Sequence, residues 1–173
     1  MRRFEELSIE EQEIHSYWMH QAIIEAEKAA AIGEVPIGAV IVSDQKLLAK
    51  AHNLREVNRM ATAHAELLAI EQANQSLEAW RLERSTLYVT LEPCPMCAGA
   101  IINARVPLVV FGAHDPKAGC VGSLYNLIEE GKFNHSSEVV SGVLEQECGA
   151  LLKAFFKDLR TKKRKLSTET REL

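Results

Sequence analysis

Two short motifs stand thirty residues apart, counted from His64 to Cys94: His64-Ala65-Glu66 and Pro93-Cys94-Pro95-Met96-Cys97. Thirty residues is the length of one crossover from a strand through a helix to the next strand. The first motif opens a helical pattern, and the second lies where a strand pattern passes into another helix. Two such units side by side bring both helix N-termini to one end of a sheet. The chain must then fold with sheet in the middle and helices outside it.

The hydrophobic pattern agrees with this reading. Ile14, Trp18, Ala22, Ile23 and Ala26 recur at helical spacing and predict a helix from Ile9 to Ile32, with Ser8 and Glu11 as a capping box and Gly33 as the stop. Pro36–Val42 and Leu47–His52 read as a strand hairpin about the turn Ser43–Lys46, and Asn53–Arg59 as a polar connection. A helix follows over Ala63–Gln75, then a strand over Ser85–Leu91, a small-residue helix over Cys94–Asn103 and a strand over Leu108–Phe111. Gly112–Gly122 reads as a loop, Glu138–Ser141 as a last strand and Leu144–Arg160 as a last helix. The hairpin is antiparallel, and the later strand–helix–strand steps favour parallel pairing with right-handed crossovers. The predicted fold class is α/β: three layers, α/β/α, around a mixed five-stranded sheet. There is no repeat or linker, so residues 1–173 are read as one domain, with a core over about 9–160 and a flexible tail, basic and then polar, over 161–173.

Two thiols and one imidazole suit zinc, and a three-residue set leaves the fourth position for water, as in catalytic sites. His64, Cys94 and Cys97 are the predicted ligands. Helix N-termini favour the thiolate forms. Cys120, in the loop Gly119-Cys120-Val121-Gly122, is a possible fourth ligand that would make the site structural instead. Glu66, two residues from His64, is placed to move a proton between a zinc-activated water and a substrate nitrogen; the plainer alternative is a solvated glutamate on a helix face. Together the motifs match the signature of zinc-dependent nucleobase deaminases. Cys148 reads as a buried thiol and Trp18 and Trp80 as packing residues, while His15, His20 and His52 have no metal-like partner.

Hydrophobic residues make up 47% of the chain and charged residues 25%, as in an ordinary soluble domain. The longest apolar runs fall far short of the ~20 residues a membrane helix needs. The basic start runs straight into acidic residues without an apolar stretch, so no signal peptide is read and the cytoplasm is the expected location. The net charge of −4 argues against a nucleic-acid partner. The mean hides an asymmetry: between Leu151 and Lys165, seven basic residues face one acid, a local excess of six positive charges that leaves the rest of the chain at −10.

The sequence around these motifs resembles the bacterial tRNA-specific adenosine deaminases, of the cytidine deaminase-like fold. The resemblance is carried by Ala63-His64-Ala65-Glu66, by Leu87–Ala100 around Glu92-Pro93-Cys94-Pro95-Met96-Cys97, by Glu34-Val35-Pro36-Ile37-Gly38-Ala39-Val40, by Phe111-Gly112-Ala113-His114-Asp115-Pro116-Lys117, by Phe133-Asn134-His135, and by Leu151–Arg160 with its Phe155-Phe156 pair. It covers roughly Tyr17 to Arg160. It implies one Zn²⁺ per chain, a homodimer, and hydrolysis of adenosine to inosine at the wobble position of a tRNA anticodon, with Glu66 as the proton shuttle. It further implies that Asn53 hydrogen-bonds the flipped nucleoside, that Ile37 packs on the base, and that Asp115, Lys117, Asn134, His135, Phe156 and Arg160 meet the RNA, an aromatic stacking on a splayed base and an arginine gripping phosphate. Asn53 can equally be a turn residue, Ile37 plain core, and each RNA candidate an ordinary surface or core residue. Of the adjacent Phe155 and Phe156, one faces the core and the other is the candidate. The competing functions are a small-molecule deaminase of the guanine or cytosine type and a non-catalytic zinc module that binds RNA. The cationic, aromatic C-terminal helix favours RNA over the former, and Glu66 favours catalysis over the latter.

Overall fold

The computed structural model describes residues 1–169, with side chains through Arg164. In chain order the elements are β1 (Arg2–Arg3), a 3₁₀ turn (Phe4–Glu6), α1 (Ile9–Ala31), β2 (Gly38–Ser43), β3 (Lys46–His52), α2 (Arg55–Asn58), α3 (Ala65–Leu77), β4 (Ser85–Leu91), α4 (Pro95–Asn103), β5 (Leu108–Ala113), β6 (Glu138–Ser141) and α5 (Glu145–Glu169). The sheet has the order β1-β6-β5-β4-β2-β3. Its β4, β5, β6 and β1 run parallel, while β2 is antiparallel to both β4 and β3. The mixed three-layer α/β/α class is therefore the observed one.

Period-two alternation along the strands sorts the core into two halves. Ala39, Ile41, Leu87, Val89, Val109, Phe111 and Val139 face Ala65, Ala69 and Ala73 of α3 and Ala98, Ile101 and Ile102 of α4. Val40, Val42, Tyr88, Val110 and Val140 face Met19, Ala22 and Ile23 of α1 and Cys148 of α5. The alanines of α1 let it approach β2 closely. A Cβ on Gly38 would lie 2.0 Å from the Ala22 carbonyl oxygen and 2.4 Å from the Ala26 nitrogen, both backbone atoms that cannot swing away. Gly38→Ala is expected to cost about 3 kcal/mol and to lower Tm by roughly 6–12 °C; a melting curve within 2 °C of the parent's would contradict this packing.

Besides end shifts of one or two residues, such as β2 beginning at Gly38 and β5 running to Ala113, the structure departs from the predicted elements at four places. The sheet has six strands, not five: Arg2 and Arg3 pair with Val140 and Ser141, and two arginines carry no apolar pattern to announce a strand. The polar stretch after β3 contains the short α2. Leu144 is in the left-handed region, φ 51°, so the last helix starts at Glu145. That helix also runs to Glu169 rather than fraying after Arg160. Lysine and arginine are good helix formers, no Gly or Pro intervenes, and Lys162 pairs with Asp158 one turn earlier at 2.7 Å. The part of the tail over 170–173 lies outside the described residues.

The capping box is present as expected, with Ser8 Oγ accepting from the Glu11 nitrogen and Glu11 from the Ser8 nitrogen. Cys148 is buried and burial pushes its thiol up to about 12. Trp18 packs against Tyr88, whereas Trp80 is 58% exposed with the Arg81 guanidinium over its ring, so it is a surface residue and not a packing one. An isolated Trp has no periodic context from which its face could be read.

Candidate active site and metal centre

The carboxyl end of β4 and the hairpin strand β3 deliver two helix starts to one place. His64 is the N-cap of α3, and Cys94 the N-cap of α4 with Pro95 at the first helical position. Both caps are extended backbone and neither side chain makes a capping hydrogen bond, so both are available to the ligand triangle. Cys97 follows one turn into α4 and is fully buried. The Cys94 and Cys97 sulfurs lie 3.6 Å apart, and His64 Nδ1 lies 3.7 Å from Cys94 and 3.6 Å from Cys97.

Metal bonds of about 2.3 Å to sulfur and 2.0 Å to nitrogen, at tetrahedral angles, require separations of about 3.8 Å and 3.5 Å. The observed triangle matches them. The electrostatics agree: contact with the Cys97 thiol holds Cys94 down to about 4, and contact with Cys94 pushes Cys97 up. Two thiols in contact with each other and with an imidazole nitrogen form a donor set that suits a divalent cation. Cys120 does not complete the set. It is buried, burial pushes its thiol up, and among the described residues only His64, Cys94 and Cys97 gather their ligand atoms. The Cys120 nitrogen donates to Pro93 O at 2.9 Å, next to Cys94 in the chain, yet its sulfur is not gathered with the other three ligand atoms, so the fourth-ligand alternative fails.

Glu66 lies in the first turn of α3 and is 4% exposed, not a solvated surface acid. Burial raises its carboxyl above the ordinary range, and the charge at Cys94 adds to that rise. A buried carboxyl of raised proton affinity beside the ligand triangle is the kind of group that general acid–base chemistry uses.

A groove of about 590 Å³ opens between α5 and the loop after β5. Four of the residues picked out in the sequence, Asp115, Lys117, Phe156 and Arg160, line it, and the structure adds His114 and Lys153. Phe156 is 40% exposed and Phe155 half-buried beneath it, their rings edge-on at 5.5 Å. Phe156 is thus the outward member of the pair. Asn53 and Ile37 are joined through the backbone, Asn53 N to Ile37 O at 3.0 Å, and the next nitrogen, of Leu54, bonds Ala63 O beside His64.

A model of the MafB19-like deaminases matches residues 13–160. The tRNA-specific adenosine deaminase of Bacillus subtilis is 60% identical over 147 residues, covering 85% of this chain and 91% of that one. This chain belongs to the tRNA-specific adenosine deaminase family. A solved structure from work on A-to-I editing by tRNA:A34 deaminases, at the wobble position of transfer RNA, is 41% identical with a TM-score of 0.76, over 79% of this chain and 99% of that one. A guanine deaminase structure from Bacillus subtilis is 39% identical with a TM-score of 0.56, over 58% of this chain and 64% of that one.

Against this family background, two candidates lie apart from the groove. Asn134 accepts from Arg105 at 2.7 Å, and His135 Nε2 is 2.9 Å from the Val106 carbonyl. Both sit at the amino end of β5, the far end of the strand–helix unit from Cys94. Two buried acids of the deaminase site were missed. Glu34, 1% exposed, accepts from Asn53, and Glu92, 2% exposed, accepts from the backbone nitrogens of Asp115, Val121 and Ser123 and from the Ser123 hydroxyl. Burial pushes the Glu92 carboxyl up, but these bonds outweigh it and hold it below the ordinary range. Glu92 thereby pins the loop that carries Asp115 and Lys117. An acid at a strand end looks solvated in sequence, and only the distant donors that enclose it reveal its role.

Proposed function

We infer that the chain is a zinc-dependent tRNA adenosine deaminase: adenosine at the wobble position of the anticodon and water become inosine and ammonia. The observation that carries this reading is a catalytic-type ligand triangle with a buried Glu66 against it, in a chain that also presents a basic, aromatic groove. His64, Cys94 and Cys97 hold the Zn²⁺, which supplies the polarisation that makes water nucleophilic near neutral pH. Glu66 takes one proton of the attacking water and gives it to the adenine ring nitrogen N1 as the C6–O bond forms; it then takes the second proton from that oxygen and gives it to the amino group as the C6–N bond breaks, leaving inosine and ammonia. Ile37 packs against the base and Asn53 hydrogen-bonds the nucleoside. Asp115, Lys117 and Arg160 hold the flanking RNA while Phe156 stacks on an unpaired base. Asn134 and His135 remain candidates for RNA at the other end of the unit.

The cytoplasm, where tRNA is found, is the proposed location. Among the described residues no helix is long and apolar enough to cross a membrane. We also propose that the chain is one catalytic domain working as a homodimer. Incubation with an anticodon stem-loop is expected to yield inosine at the wobble position and one ammonia per conversion. Inert RNA together with ammonia from free guanine or cytosine would move the chain to the small-molecule deaminases.

The groove makes a second measurable claim. Replacing Lys117, Lys153 and Arg160, the basic residues that line it, with alanine is expected to weaken tRNA binding and to flatten the slope of log K against log salt by about 2, at ~0.7 per lost phosphate contact. Zinc content is expected to stay at the parent's value. If zinc falls with affinity, these side chains maintain the fold rather than the RNA contact.

A further inference from the structure

Asn53 is an amide, and an amide can present either a donor or an acceptor to a ligand. Its surroundings decide which. Nδ2 lies 3.0 Å from Glu34 Oε2 and 3.4 Å from the Val35 carbonyl oxygen, so both of its hydrogens are committed to acceptors. Glu34 is itself held, its Oε1 accepting from the Val57 nitrogen at 2.7 Å, and it is 1% exposed. Both Glu34 oxygens are thus engaged as acceptors, so turning the Asn53 amide over would set its oxygen against an accepting oxygen of Glu34. The remaining group is Asn53 Oδ1. No hydrogen bond to it is found among the described residues, and the one sealed, unpartnered side-chain polar atom there is Ser85 Oγ. Asn53 Oδ1 therefore remains open to a donor.

We propose that Glu34 is a positioning residue that fixes Asn53 as a hydrogen-bond acceptor for the 2′-hydroxyl of the target nucleotide. The chemistry of the substrate narrows the donor to this group, given the reading that Asn53 faces the nucleoside. The ring nitrogens N1, N3 and N7 of adenine are acceptors, and its only donor is the 6-amino group, which departs on the side of Glu66. Within an RNA strand the 3′ and 5′ oxygens are esterified to phosphate. The 2′-hydroxyl is the one sugar donor left, and it is absent from DNA.

The test compares two anticodon stem-loops that differ only in a 2′-deoxy sugar at the target adenosine. The wild-type protein is expected to convert the ribose form about tenfold faster in kcat/KM, the loss expected for one unmade hydrogen bond to a buried acceptor. Glu34→Gln, whose own amide lets Asn53 turn over, is expected to be slower on the ribose form and to treat the two sugars within about twofold of each other, with zinc content unchanged. Asn53→Ala is expected to do the same, and the double variant to lose nothing further. A merely structural role would slow both sugars equally and keep the tenfold ratio; that result in either variant overturns the assignment, and Asn53→Ala decides if Glu34→Gln does not fold. Failure of the wild type on the ribose stem-loop would instead sink the proposed function, whereas conversion of both sugars at one rate would sink this inference alone.

Discussion

Glu66→Ala is expected to fold, hold its metal and bind tRNA, yet to release ammonia about 10²–10⁴-fold more slowly, the range over which a positioned acid–base group acts. The expectation rests on where Glu66 sits. It is buried in the first turn of α3, two residues beyond His64, and burial raises its proton affinity. Removing it leaves His64, Cys94 and Cys97 in place, so zinc content and the far-UV spectrum should match the parent's. The loss should fall on kcat with little change in KM, because Glu66 acts on protons in flight rather than on the docked RNA. A variant that still produced inosine at the parent's rate would remove Glu66 from the reaction and return the non-catalytic alternative to consideration.

Removal of the metal is expected to act on stability as well as on activity. A ligand present at 1,000 times its dissociation constant stabilises the folded state by about 4 kcal/mol, which for a chain of this size is a Tm difference of roughly 8–16 °C. Chelation should lower Tm by that amount, and added zinc should restore it along with activity. Cys94→Ala removes one corner of the triangle of 3.6–3.7 Å contacts. That variant should hold almost no zinc, show no deamination and melt at one temperature with or without the ion. A zinc-induced Tm shift that survives in Cys94→Ala would place the metal somewhere other than this triangle.

Much of this centre was legible before any coordinates. Ligand type and spacing are local properties of sequence, and one crossover converts the spacing from His64 to Cys94 into proximity. The two-sided core was legible for the same reason, since period-two strands such as Ala39–Val42 declare both faces at once. The groove was partly legible, because the clustered charge of α5 survives any fold and Phe156 lies within that run. What escaped notice depends on contacts between distant segments. Glu34 acquires a role only when Asn53 and Val57 arrive beside it, and Glu92 only when the 115–123 loop closes over it. Asn134 and His135 show the converse: residues drawn in by resemblance are placed in this chain against Arg105 and Val106.

The short strand of paired arginines has a consequence for how copies of the molecule meet. An open sheet ends in unpaired N–H and C=O groups that invite a foreign strand. Here one margin ends in β1, two residues long and made of exposed Arg2 and Arg3. The other ends in β3, with exposed Lys46 and Lys50. A strand arriving at either margin must strip water from a cation, and at β1 it finds almost nothing to pair with. Growth of the sheet from one molecule into the next is therefore discouraged at both ends. Any association between copies is left to helices and loops, and a concentrated solution is protected against strand-to-strand aggregation.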